Sequence, residues 1–262
     1  MTKPQDGPLA GKACLVTGST AGIGYAIARA FLEAGAPQVM INGRNEARAK
    51  EAVEQLRSEF AGVDVFCAMG DVTEPDEATR VAEDAMRQLG QIDCLVNSTG
   101  GDDTPALFYK LELASLPGLV QRGLLGHILM SRAAIPHMME QNSGCIINIA
   151  SDAAKIATPG ESVIGAIMAG IVMFTRGLAI EAKRNGVRVN CITPSIVRGT
   201  PLYDRLMADE FSGKLFAKAE KMAQLGVAEP EDLAELTVFL ASDAASKITG
   251  QAISVNGGIS AA

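Results

Sequence analysis

TGSTAGIG, residues Thr17–Gly24, directly follows the apolar run ACLV and opens the amphipathic stretch YAIARAFLEAG. Glycines at 18, 22 and 24 permit a tight turn, close approach of backbone N–H groups to a pyrophosphate, and close packing of a helix on a strand. The helix that begins there presents unpaired N–H groups and the positive end of its dipole, which together favour an anion. A short glycine pattern is weak by itself. The strand before it and the helix after it make it a dinucleotide-binding signature.

Outward from this turn, short β-branched and apolar runs alternate with helical patterns along the whole chain. The runs are ACLVT, QVMING, VDVFCAMGD, CLVNSTG, GCIINIAS, VRVNCITP and AISVNGG. Between them Asn45 to Phe60 is charged and amphipathic, and Pro75 to Leu89 carries apolar residues at helical spacing with Asp76 and Glu77 in its first turn. This alternation predicts an α/β fold: a doubly wound, Rossmann-type parallel sheet of about seven strands with helices on both faces. No repeat or linker divides the 262 residues, so residues 1–262 are expected to form a single domain. Residues 199–224, with Pro201 near one end and charges throughout, read either as a helical flap over a site or as an ordinary surface excursion.

Hydrophobic residues make up 48% of the chain and charged residues 20%, enough to bury a core, and the net charge is -7. With no run of lysines or arginines the electrostatic basis for nucleic-acid binding is missing, which leaves small molecules as the expected partners. Five cysteines lie far apart, with two histidines and no metal-type spacing, so no metal site is expected and the thiols are read as buried and reduced. The opening MTKPQDGPLAG has no apolar h-region, which predicts a cytoplasmic protein. Ser162 to Thr175 is uncharged over 14 residues, short of the roughly 20 needed to span a bilayer. It reads as a buried helix, covered by its own domain or by a second subunit.

TGxxxGxG is also the spacing of the short-chain dehydrogenase/reductase family, and the chain resembles that family from about Leu9 to Gly258. Asp71-Val72 resembles the family's adenine contact, NSTG at 97–100 its NNAG, RVNCITPSIV at 188–197 its RVNxIxPGxV, and ITGQAISVNGG at 248–258 its ITGQxxxVDGG. The resemblance implies cofactor contacts at Gly18, Ser19, Thr20, Gly22, Ile23, Gly24, Asp71, Val72, Asn97, Gly100, Pro194 and Ile196. Cofactor type is read from Asn42-Gly43-Arg44, where an NAD-preferring member places a carboxylate for the adenosine ribose. Glycine there leaves room for a 2′-phosphate and Arg44 supplies a planar donor fork, so NADP(H) is expected ahead of NAD(H). In the plainer alternative Arg44 merely starts the next helix on a solvated face.

In this family a tyrosine moves the proton, a lysine lowers its pKa and holds the nicotinamide ribose, a serine binds the carbonyl and an asparagine orders a relay water. Ser151 matches the serine, but Ile164 and Met168 fall at the tyrosine and lysine positions, and Gly123 at that of the asparagine. No tyrosine lies between Tyr109 and Tyr203, and no lysine between Lys155 and Lys183, so no small insertion restores the pair. Groups that can stand in are Asp152, Lys155 and Glu161 after Ser151, Asp102 and Asp103 after NSTG, and Tyr203 in the flap; His127 reads as a satisfied interface residue. The expected function is an NADP(H)-linked oxidoreductase with an atypical active site. The alternatives are a non-redox lyase or isomerase, or a catalytically silent nucleotide-binding or structural subunit. Resembling proteins pair the helices near 124–136 and 162–175 across subunits, which implies a homotetramer, with a dimer second.

Overall fold

The computed structural model describes residues 7–100 and 103–262. Seven strands form one sheet: β1 (Ala13–Val16), β2 (Gln38–Gly43), β3 (Asp64–Met69), β4 (Cys94–Asn97), β5 (Gly144–Ile149), β6 (Val187–Pro194) and β7 (Ala252–Val255). Their order is β3-β2-β1-β4-β5-β6-β7 and every pairing is parallel. All seven apolar runs have become these strands; the central β1, β4 and β5 are buried along their whole length, whereas the edge strands β3 and β7 are only partly so.

The two faces separate by residue alternation. Cys14 and Val16 join α1 (Gly22–Glu33), α2 (Glu46–Glu59) and α9 (Pro230–Ala241) in one core. Ala13 and Leu15 join α3 (Pro75–Leu89), α5 (Gly126–Gln141) and the C-terminal half of α6 (Ser162–Ala182) in the other. Local chemistry sets the helix ends. Asn45 caps α2 by accepting from the Arg48 N–H at 3.0 Å, and α3 starts on Pro75 and stops at Gly90 in the left-handed region. A short α4 (Leu116–Val120) runs through a π turn, Gln121–Leu125, into α5. Strand order reverses between β1 and β4, and ligands of such sheets bind in the crevice beyond the carboxyl ends of the strands at that point.

Two features differ from the sequence reading. The helix that begins with the apolar run continues past Thr175 to Ala182. The stretch Ser162–Asn185 is long and apolar enough to cross a membrane, yet it serves as the crossover between β5 and β6. Nor is it a fully buried helix: Ile171, Thr175 and Ala179 are sealed against the sheet, whereas Met173 and Ile180 are each 63% exposed. The 199–224 segment folds as two helices, α7 (Pro201–Ala208) and α8 (Glu210–Met222), around a small core of Ile196, Leu206 and Phe216.

Candidate active site

At the carboxyl ends of the central strands lies a cavity of about 390 Å³. The glycine turn forms one end. Gly18 and Gly22 have φ of +60° and +57°, and a Cβ on Gly18 would stand 2.4 Å from the Ser98 carbonyl oxygen. A Cβ on Gly24 would meet the Gly18 oxygen at 2.5 Å, so the turn closes only without side chains at both positions. Ala21, the residue before α1, gives no side-chain cap, which leaves the helix's first N–H groups open toward the cavity. Open N–H groups of this kind are the donors a pyrophosphate would take.

Of the residues read from the sequence as cofactor contacts, Gly18, Thr20, Gly22, Ile23, Gly24, Arg44, Asp71, Val72, Gly100, Pro194 and Ile196 line the cavity. Ser19 and Asn97 do not. The Ser19 hydroxyl turns inward, donating to the Val16 carbonyl at 2.6 Å and accepting from the Asn42 N–H at 3.0 Å. Asn97 is buried, its amide donating to Asn148 Oδ1 at 2.9 Å and Ser131 Oγ at 3.1 Å. Both hold the sheet edge that carries the site. Asn42, legible only as part of a cofactor-preference triplet, is a staple as well: its Oδ1 accepts from the Gly18 N–H while its Nδ2 donates to the Ala68 and Gly70 carbonyls.

Gly43 has its own reason to be glycine, since a Cβ there would lie 2.5 Å from the Thr20 methyl group. Beside it Arg44 pairs with Asp71 at 2.9 Å, its side chain 61% exposed. Burial acts to raise the Asp71 pKa, but hydrogen bonds from Thr73 together with Arg44 hold the carboxyl below its ordinary value. Arg48 and Asn45, not singled out from sequence, line the same end.

The other end is apolar. Ile149, Ala150, Ser151, Ile164 and Met168 line it from β5 and α6, and Leu202, Leu206 and Phe216 from the flap. Ser151 Oγ accepts from the Ala153 N–H at 3.2 Å. Gly123 is buried away from the cavity wall, and a Cβ on it would strike Ile167 Cγ2 at 2.8 Å. Ile167 thus occupies the space that any side chain at 123 would need.

The proposed stand-ins separate sharply. Asp152 is buried and accepts from Ser254 and Ser260 at 3.0 and 2.8 Å and from Asn256, while Lys155 donates to Ser254 Oγ at 2.6 Å. Neither lines the cavity, because both tie the strand β7 end to the loop after β5. Tyr203 lines the cavity but donates its hydroxyl to Glu220 at 2.8 Å, which Arg198 also holds. Asp103 is closed into a pair with Arg122 at 2.8 Å, and Asp102 lies outside the described residues. Glu161 lines the cavity just before α6 and has no ion pair among the described residues; burial raises its pKa against a weaker opposing hydrogen bond from Thr158.

His127 is not an interface residue but lies 1% exposed inside the subunit, its Nε2 3.1 Å from the Ile149 carbonyl oxygen. A carbonyl only accepts, so Nε2 carries the proton and Nδ1 is a bare acceptor, without a partner among the described residues. Burial drives this imidazole down to a pKa of about 4 despite the neighbouring carbonyls. The described residues contain no cluster of metal ligands.

A seven-stranded parallel sheet with an uncapped helix N-terminus and a glycine turn at its switch point defines a Rossmann-type fold. Comparison with known proteins narrows this. The family described as Enoyl-(Acyl carrier protein) reductase matches residues 18–260. The YxbG oxidoreductase of Bacillus subtilis (strain 168) is 33% identical over 259 residues, 97% of this chain and 93% of its own. The 3-oxoacyl-[acyl-carrier-protein] reductase FabG of Chlamydia trachomatis is 34% identical, covering 97% of this chain and 99% of its own. Among solved structures, a putative gluconate dehydrogenase from Agrobacterium tumefaciens superposes with a TM-score of 0.88 at 28% identity, over 97% of this chain and 98% of that one. The chain belongs to the short-chain dehydrogenase/reductase family of oxidoreductases.

Proposed function

We propose that the protein is an NADP(H)-linked oxidoreductase whose proton-handling groups have been replaced. The glycine turn and α1 N-terminus would hold the pyrophosphate, Asp71 and Val72 the adenine, and Gly100, Pro194 and Ile196 the nicotinamide half. The cofactor would supply two electrons as hydride at the apolar end. Arg44 carries the reading of cofactor type. Its pair with Asp71 is largely exposed and worth about 0–1 kcal/mol, so a 2′-phosphate offering a bidentate acceptor outcompetes it. The Thr20 methyl group, 2.5 Å from where a Cβ on Gly43 would stand, counts against a ribose-binding carboxylate there.

Ile164 and Met168 stand, on this reading, at the family's tyrosine and lysine positions and Gly123 at its asparagine position, with Ser151 retained. Reductase and dehydrogenase relatives support redox chemistry over the lyase, isomerase and silent readings. The chain acts as one domain with residues 199–224 as the flap over the apolar end, in the cytoplasm. Exposed Met173 and Ile180 on α6 support a homotetramer built on that helix, with a dimer second; light scattering that gives a monomer of 27.3 kDa would overturn the assembly. The cofactor assignment is tested by titrating NADPH and NADH into the wild-type protein and Arg44→Ala. NADPH affinity should fall about tenfold in the variant with NADH affinity unmoved. An unchanged affinity ratio would remove Arg44 from the site.

A further inference from the structure

The apolar end of the cavity has one carboxyl group, that of Glu161, and no ion pair to it among the described residues. Ile164, Met168, Leu202, Leu206 and Phe216 cannot exchange protons, the Tyr203 hydroxyl is committed to Glu220, and the Ser151 hydroxyl donates hydrogen bonds without ionising near neutral pH. A ketone or aldehyde reduced here would develop an alkoxide whose proton must come from Glu161 or from water, whereas a substrate that arrives already cationic needs no proton.

Glu161 points the same way. The other charged groups around the cavity are accounted for: Asp103 is paired with Arg122, Arg205 makes a contact of its own, and Arg44 with Arg48 lies at the adenosine end. Glu161 faces the apolar end with no counter-ion among the described residues, and a methionine at 168 supplies none. A desolvated carboxylate without a partner is costly, and a ligand cation relieves that cost.

We propose that the pocket accepts a cationic hydride acceptor, an iminium ion of an apolar amine, with Glu161 as the carboxylate that pairs with its nitrogen. The inference rests on the oxidoreductase reading above. The iminium carbon gains a hydride with its electron pair from the reduced nicotinamide, which is oxidised, and the C=N π pair moves onto nitrogen. The positive charge is cancelled, the product is a neutral amine, and Glu161 stays ionised throughout. No proton is transferred by the protein, and the amine is protonated by water after release.

Dihydroisoquinoline and α-tetralone, a matched imine and ketone, test the turnover, and tetrahydroisoquinolinium, which cannot accept hydride, tests binding by calorimetry without cofactor. The imine should be reduced with kcat/KM at least about tenfold above the ketone, and Glu161→Gln should weaken ammonium binding about tenfold or more. Glu161→Asp should regain part of that affinity, and neither variant should alter NADPH affinity. With cofactor bound normally, equal or faster reduction of the ketone, or ammonium binding indifferent to Glu161→Gln, would overturn the iminium assignment alone. Failure of the wild-type protein to bind either nicotinamide cofactor would overturn the oxidoreductase reading, and the iminium assignment with it.

Discussion

The two ends of the cavity are built from different material. At the phosphate end the backbone forms the site: Gly18 and Gly24 touch main-chain atoms of Ser98 and of the turn itself, and Asn42 stitches Gly18 to the ends of β2 and β3. At the α6 end side chains form it, standing on a helix whose backbone bonds do not depend on them. A backbone-built site cannot drift without opening the fold, whereas a side-chain site can be rewritten as long as volume is conserved. At that end Ile167 fills the space a side chain on Gly123 would need.

Breaking the rigid end should have the largest effect. Gly18→Val places a branched side chain at positive φ against the Ser98 carbonyl, and should cost about 3 kcal/mol or more and abolish dinucleotide binding. A urea midpoint equal to wild type would show that the turn has slack, and would erase the contrast between the ends.

Beneath the α6 end, His127 makes stability pH-dependent. Its folded pKa is about 4 against an ordinary 6.5, so between those values the unfolded chain binds the proton and the native state does not. Stability is therefore present in full above pH 6.5 and falls as the pH drops toward 4, by on the order of 3 kcal/mol at most. Urea titrations of His127→Gln should be flatter over that window. An unchanged slope would assign the acid lability elsewhere.

The rewriting proposed for the α6 end is tested by reversing it. Ile164→Tyr, Met168→Lys and Gly123→Asn together invite a clash with Ile167, so the triple variant should be less stable by about 1–3 kcal/mol. Adding Ile167→Ala opens the space, and only this quadruple variant should reduce a ketone about 10²-fold faster than the parent. NADPH oxidation measured across the three proteins checks the order. A triple variant that folds and reacts as well as the quadruple would show that Ile167 yields freely.

The sequence alone determined the strand count, the alternation with helices and the glycine turn, because period-two burial and the φ > 0 demand of glycine are local properties that survive any context. It also showed which chemical groups were absent, since an ionisable side chain is either in the chain or not. Which remaining groups face the cavity was decided only by tertiary structure. Asp152, Lys155, Tyr203 and Glu161 are equally polar in the sequence, yet the first three are claimed by β7 and the flap, from segments 17 to 108 residues away, and Glu161 is left to the cavity. Ser19 and Asn97 sit inside recognisable motifs but face into the sheet edge, and Ile167 fills the space above Gly123 across two helices 44 residues apart. Such partnerships depend on long-range packing, which no local spacing encodes.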